Sequence, residues 1–145
     1  MMDRFSSMPR ILRLLTLGGL AGCLIPLSQM LSGGVDVFGQ TIRPGILWQS
    51  GLAAILIPSA IALGVSSVQF LLRSRNGRSV HVAGWVLMAT AVYVGPRLLH
   101  IDVPLSVPTS LFVALLTAAI AGYLYLSKDV VSYFSASVEP ERASP

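Results

Sequence analysis

Long apolar runs constrain this chain more than any other feature. The hydrocarbon core of a bilayer is about 30 Å thick, so a spanning helix needs roughly 20 mostly apolar residues. Runs of this kind lie at about residues 14–31, 46–72, 79–99 and 107–127. They are continuous rather than alternating, which favours helices over the shorter strands of a membrane barrel. The sequence therefore predicts an all-α integral membrane protein with four transmembrane helices.

The composition supports membrane insertion as the fold class. Of the 145 residues, 54% are hydrophobic and 11% are charged, whereas soluble domains carry about a quarter charged residues. We expect one transmembrane domain over residues 1–134, followed by a polar tail at 135–145 whose small residues predict disorder. The net charge is +4. No dense basic patch accompanies that charge, so the lipid bilayer rather than a nucleic acid is the expected partner.

The basic residues predict the orientation of the four spans. Only Arg43 and Arg97 fall on one side of the predicted membrane. Cytoplasmic segments carry the excess of Lys and Arg, so both termini and the loop at 73–78 should be cytoplasmic. Short links also favour antiparallel neighbours, which predicts an up-down bundle. The opposite side holds eight of the ten basic residues: Arg4, Arg10, Arg13, Arg73, Arg75, Arg78, Lys128 and Arg142.

Small residues spaced four apart are candidates for helix packing. Membrane helices associate through close van der Waals contact, which small side chains permit. Two interpretations stay open: these residues pack the protein's own bundle, or they form a surface for another chain. The first, second and fourth spans carry them, as Gly18 and Gly22, as Ala60 and Gly64, and as Ala114, Ala118 and Gly122.

The first span contains the stretch Leu20-Ala21-Gly22-Cys23, preceded by basic residues and a short apolar segment. This stretch resembles the lipobox of bacterial lipoproteins, over the first 23 residues of the chain. The resemblance implies that Cys23 is lipidated and that the segment before it is removed. The apolar residues after Cys23 indicate an alternative, one continuous helix with an ordinary buried cysteine. Since Cys23 is the single cysteine, no intrachain disulfide is expected.

Polar residues near the outer ends of the spans form a candidate site. Arg97 lies about eight residues from the centre of the third run, hence about 12 Å from the midplane. The hydrocarbon edge lies at about 15 Å, and a long arginine side chain can cover the difference. Gln29 and Gln49 are predicted at the same level, with Asp36 and Asp102 as external carboxylates. The cluster either anchors helix ends or lines a small polar vestibule.

The predicted spans contain no Asp, Glu or Lys, the residues that proton relays and ion-coupled carriers usually need. No nucleophile elbow, metalloprotease pair, phosphate-binding glycine loop or CxxC motif is present. His81 and His100 fall on opposite predicted sides, so they cannot share a metal ion. His81 is predicted to lie at the membrane surface. We therefore expect no enzymatic activity, no metal site and no cofactor.

The function predicted from these features is that of a non-enzymatic accessory or interaction subunit, or a modulator, of a membrane complex. Its expected partner is another membrane protein or a second copy of the chain. The alternative is a small oligomeric transporter or channel with a polar outer vestibule. A membrane enzyme ranks last, because no nucleophile–base pair is present. Small size, the lipobox-like stretch and the charge bias predict a bacterial inner (cytoplasmic) membrane.

Overall fold

The computed structural model of the protein describes residues 5–37, 40–100 and 107–135, and it is 83% helical. Asp102 and nearly all of the predicted tail lie outside the described residues. The helices and strands, in chain order, are α1 (Arg10–Ser32), β1 (Val35–Val37), β2 (Gln40–Ile42), α2 (Pro44–Gln49), α3 (Ala53–Leu71), α4 (Asn76–Leu98), α5 (Val107–Leu126) and α6 (Lys128–Ser135).

Within the described ranges, four helices are long and apolar enough to cross a bilayer. Because a helix rises about 1.5 Å per residue, each is close to the 30 Å thickness of the hydrocarbon. The prediction of a mainly helical chain with four helices able to span a membrane is thereby confirmed. These candidate spans are Arg10–Ser32, Ala53–Leu71, Asn76–Leu98 and Pro108–Leu126.

The second apolar run, predicted as one helix over 46–72, is divided in the structure. The short helix α2 begins at Pro44 and ends at Gln49, and α3 begins at Ala53. Between them Gly51 has a φ of +78°, a left-handed conformation that glycine adopts without strain. The run is longer than the roughly 20 residues that a span needs. Its first part therefore forms a separate helix outside the candidate span.

A small hairpin occupies the link between α1 and α2. Strands β1 and β2 pair antiparallel, with Val35 opposite Ile42 and Asp36 opposite Thr41. The Thr41 hydroxyl donates a hydrogen bond to Asp36 Oδ1 at 2.7 Å. Val35 and Ile42 belong to a buried cluster that also contains Ala91 of α4. The hairpin therefore packs against the helices at the C-terminal end of α1.

Helices α1, α3 and α4 meet around Leu63 of α3. A Cβ atom added to Gly19 of α1 would lie 2.9 Å from the Leu63 carbonyl oxygen, and it would also clash with Ser67 Oγ. A Cβ atom added to Gly84 of α4 would lie 3.0 Å from Leu63 Cγ. Ser59 Oγ donates to the Gly84 carbonyl at 2.9 Å. The two glycines thus allow both neighbouring helices to approach the same residue of α3, Gly19 at its backbone and Gly84 at its side chain.

Helix α5 is attached to α4 mainly near its two ends. The Tyr93 hydroxyl donates to the Ser110 carbonyl at 2.6 Å, and Ser79 Oγ lies 2.7 Å from the Tyr125 hydroxyl. Of the residues in the most apolar part of the α5 span, only 11% are buried, compared with 39% for the α3 span. Much of α5 is therefore not covered by the described part of the chain.

The short helix α6 packs against the ends of α1 and α3. Its Val130, Tyr133 and Phe134 are buried in a cluster with Phe70 and Leu12. The Tyr133 hydroxyl donates to the Phe70 carbonyl at 3.1 Å. Apolar residues on one side of α6 thus continue the packed core beyond the fourth candidate span.

Candidate functional site

The predicted outer cluster is only partly brought together. Gln29 and Asp36 line one cavity of about 280 Å³ between α1, the hairpin, α3 and α4. Gln49 is exposed on α2, and Arg97 is exposed near the end of α4. Among the described residues, no hydrogen bond or ion pair joins Gln29, Gln49 and Arg97. Asp102 lies outside these residues, so the vestibule of five residues stays a prediction.

The cavity that Gln29 and Asp36 share is small and mainly apolar. Its other lining residues include Leu52, Leu56 and Met88. Its volume is close to the lower end of the 300–1,000 Å³ that ligand pockets usually have. The lining residues that the structure describes include no histidine, cysteine or hydroxyl group. The cavity could hold a small polar molecule through one amide and one carboxylate, but these residues hold no acid–base pair for catalysis.

The small residues of the first and second candidate spans pack within the protein, with one exception. A Cβ atom on Gly64 would lie 2.7 Å from Cys23 Sγ, and one on Gly22 would lie 3.5 Å from Leu63 Cδ1. Ala60 is buried. Gly18 is exposed, and nothing lies within 4 Å of a Cβ atom added there. The close contact belongs instead to the next residue, Gly19, which the spacing argument did not select.

The small residues of the fourth candidate span face away from the protein. Ala118 is exposed, and nothing lies within 4 Å of a Cβ atom added to Gly122. The buried side chains of α5 are Ile120 and Leu124. Successive helical residues are rotated by about 100°, so residues two apart point in nearly opposite directions. Ala118 and Gly122 therefore lie opposite the packed face of α5, and Ala114 is also exposed.

Cys23 lies inside α1, which runs without a break from Arg10 to Ser32. Its side chain is half-buried, and it contacts the backbone of α3 where Gly64 has no side chain. This contact gives the thiol a packing role within the helix pair. Lipidation of Cys23 stays a prediction.

His81 forms a buried polar cluster that the sequence did not predict. His81 is 1% exposed, so its side chain lies inside the protein, while its predicted level at the membrane surface stays a prediction. Trp85 Nε1 donates to His81 Nε2 at 3.2 Å, and His81 Nδ1 lies 2.8 Å from Ser66 Oγ. The Ser66 hydroxyl also lies 2.9 Å from the Leu63 carbonyl, to which it can donate. The spacing of four between His81 and Trp85 could have indicated that their side chains meet on one helix. The contact with Ser66 could not be predicted in this way, because Ser66 lies on another helix.

The donors in this cluster assign the protonation of the imidazole. An indole N–H can only donate, so His81 Nε2 must accept. Since an imidazole must keep at least one ring proton, His81 Nδ1 carries it and donates to Ser66 Oγ, which leaves the Ser66 hydroxyl to donate to the Leu63 carbonyl. The imidazole is therefore neutral and both ring nitrogens are satisfied. The arrangement joins α3 to α4 and leaves no serine proton directed at the histidine, as an activated nucleophile would need.

Metal ligands are not grouped in the described part of the chain, where no three His, Cys, Asp or Glu residues lie close enough to hold an ion. The arrangement found there thus consists of a small outer cavity, a buried polar cluster and an uncovered helix face. Comparison with protein-family models, with curated proteins and with solved structures finds no match for this chain.

Proposed function

We propose that this protein is a non-enzymatic accessory subunit that binds another membrane protein through the outward side of α5. The surface concerned, called the α5 face below, consists of Leu111, Ala114, Leu115, Ala118 and Gly122. The observation that carries the proposal is that α5 has a packed face and, opposite to it, an uncovered face of small residues. Ile120 and Leu124 pack inward, while the small residues point away from every described helix.

Packing physics explains why this face suits a partner helix. Helices in lipid gain no hydrophobic driving force from association, so they depend on close contact between their surfaces. The small residues form a shallow groove beside Leu111 and Leu115, which are 57% and 60% exposed. A second helix laid in the groove would contact the backbone of α5 and the flanking leucines together. Gly22 of α1 and Gly64 of α3 already make such contacts inside the protein.

We also propose that the four spans form an up-down bundle with both termini in the cytoplasm of a bacterium. Two hydrogen bonds support the antiparallel arrangement of neighbouring spans. Arg73 Nη2 donates to Ser7 Oγ, which joins the N-terminal side of α1 to the end of α3. Tyr93 donates to the Ser110 carbonyl, which joins the end of α4 to the start of α5. The excess of basic residues around the termini and the 73–78 loop supports the cytoplasmic assignment.

The α5 face can be tested by filling its groove. The double variant Ala118→Leu/Gly122→Leu should reduce crosslinking to the partner by about ten-fold, equivalent to roughly 1.4 kcal/mol of binding free energy. Its free energy of unfolding should change little, because Ala118 is exposed and nothing lies within 4 Å of a Cβ atom added to Gly122. The measurement is crosslinking in native membranes, followed by mass spectrometry of the adducts. The adduct mass also distinguishes another protein from a second copy of this chain.

The matched control is Ala119→Leu, which adds the same side chain to the next exposed residue of α5. Position 119 is rotated by about 100° from position 118, so it lies beside the groove rather than in it. Crosslinking should therefore be retained. Equal crosslinking in all three proteins would contradict the role of the α5 face. A stable monomer without any adduct would contradict the accessory function itself.

A small transporter or channel is the second candidate, supported by the cavity that Gln29 and Asp36 line. If solute passes through this cavity, Gln29→Leu should lower flux by about ten-fold, a change of roughly 1.4 kcal/mol in the barrier. Gln49→Leu is the matched control, because Gln49 is exposed on α2 and outside the described cavity lining. The measurement is solute flux into reconstituted vesicles. Flux that is absent, or equal in the two variants, would argue against a path through the cavity.

A further inference from the structure

We infer that a second, basic cavity binds a phosphate group, supplied by the headgroup of an anionic phospholipid. The cavity, called the phosphate pocket below, lies at the end of α1 opposite the hairpin and has a volume of about 540 Å³. The N-terminal segment, α1, the α3–α4 turn and α6 all contribute to it. Its polar lining includes Arg13, Arg73, Ser6, Ser7, Ser132 and Tyr133.

In the part of the chain that the structure describes, two guanidinium groups line the phosphate pocket, on Arg13 and Arg73, against one carboxylate, on Asp129. Within the described residues, neither arginine forms an ion pair with Asp129. The pocket therefore has a net positive charge, and an anion bound there would reduce the repulsion between the two arginines. Guanidinium groups bind phosphate with paired, charge-assisted hydrogen bonds, so this lining favours a phosphate over a neutral ligand.

The protein holds each arginine in place before any ligand binds. Arg13 donates from Nε to the Met8 carbonyl at 2.9 Å and from Nη2 to the Ser6 carbonyl at 3.0 Å. Arg73 donates from Nη2 to Ser7 Oγ at 3.1 Å, and its guanidinium lies 4.8 Å from the centre of the Tyr133 ring. These contacts use only some of the N–H donors that each side chain carries. The other donors can bind phosphate oxygens without much loss of side-chain freedom.

The backbone of the α3–α4 turn fixes where Arg73 enters the phosphate pocket. The φ of Arg73, +57°, is the left-handed conformation that commonly ends a helix. The Ser74 N–H donates to the Gln69 carbonyl at 2.9 Å, as in a helix C-cap of this kind. The turn therefore forms one wall of the phosphate pocket and holds Arg73 beside it.

The position along the spans favours a lipid as the source of the phosphate. Arg13 lies in the first turn of α1, and Arg73 follows the last residues of α3, so the pocket lies near the ends of two candidate spans. Phospholipid headgroups occupy this level, and basic pockets between cytoplasmic helix ends bind them. Ile11 and Leu14, which flank Arg13 along α1, are 53% and 67% exposed and can contact acyl chains.

The test measures phosphatidylglycerol binding by the full-length protein in phosphatidylcholine nanodiscs, with lipid retention read by native mass spectrometry. The variant Arg13→Gln/Arg73→Gln should lose affinity for phosphatidylglycerol by at least about ten-fold. The matched control, Arg10→Gln/Arg75→Gln, removes the same charge from exposed positions outside the described pocket lining. The control should keep most of the affinity.

A further variant distinguishes loss of the binding site from loss of folding, because it should raise the affinity. Asp129→Asn removes the opposing carboxylate and leaves both arginines in place, so it should strengthen phosphatidylglycerol binding. Equal loss of binding in the two arginine double variants would overturn the proposal, because it would show a general charge effect. Weaker binding in Asp129→Asn, or no preference of the unmodified protein for phosphatidylglycerol, would overturn it as well. Displacement of the lipid by inorganic phosphate would retain a phosphate site but overturn its assignment to a lipid.

Discussion

Replacing Gly19 by alanine should destabilise the protein by about 1–3 kcal/mol, the usual cost of overpacking a close-packed interior. The added Cβ atom would lie 2.9 Å from the Leu63 carbonyl oxygen and 3.3 Å from His81 Cε1. Neither neighbour can move easily, since Leu63 presents backbone and His81 is held by hydrogen bonds on both ring nitrogens. Helix α1 would have to move away from α3. The measurement is chemical unfolding in mixed micelles, followed by tryptophan fluorescence.

The adjacent residue supplies the matched control for this effect. Gly18→Ala makes the same chemical change one position earlier, where nothing lies within 4 Å of the new atom. Alanine is favoured over glycine in a helix by up to about 1 kcal/mol, so this variant should be neutral or more stable. Gly19→Ala should therefore have a lower free energy of unfolding than Gly18→Ala. Equal stability of both would contradict the close approach of α1 to α3 at Gly19.

Replacing His81 by alanine should cost about 2–5 kcal/mol, the range for a large-to-small change in a buried site. The change would leave a cavity between α3 and α4, and the Trp85 N–H would lose its acceptor. Unfolding in mixed micelles measures the loss. The control is Thr90→Ala on the same helix, because Thr90 is exposed and its hydroxyl, among the described residues, bonds only to the Val86 carbonyl of its own helix. That control should change stability by less than about 0.5 kcal/mol.

A spectroscopic measurement tests the same cluster without a mutation. Nitrogen-15 NMR of labelled imidazole should show a proton on Nδ1 of His81 and none on Nε2, because Nε2 accepts from Trp85. A proton on Nε2 would contradict this hydrogen-bond network. If His81→Ala were as stable as the unmodified protein, the cluster would not hold α3 against α4.

The number and approximate positions of the spans could be predicted because crossing a bilayer requires a long apolar segment. That requirement acts on each segment separately, so it can be read from neighbouring residues alone. The division of the second run at Gly51 was not predicted. Apolar continuity across 46–72 is compatible with one helix or two, and only the packing of Leu47 and Leu52 with the hairpin distinguishes them.

The packed faces of the helices were much harder to predict. In water an amphipathic pattern marks the buried side of a helix, but lipid is as apolar as a protein interior, so that signal is absent. This explains why Gly18 was selected instead of Gly19, one residue away. It also explains why spacing alone could not show that Ala118 and Gly122 point outward while Ile120 points inward.

The sequence by itself determined that the chain forms four helices suited to cross a membrane, since that property depends only on the length and apolar character of each run. Tertiary structure decided which side of each helix is used, because that depends on contacts between segments distant in the chain. His81 meets Ser66 across two helices, and Arg13 and Arg73 reach one pocket from different segments. These groupings depend on how each packed helix is rotated about its axis. Short-range sequence patterns do not indicate that rotation where the surroundings of a helix are as apolar as its packed face.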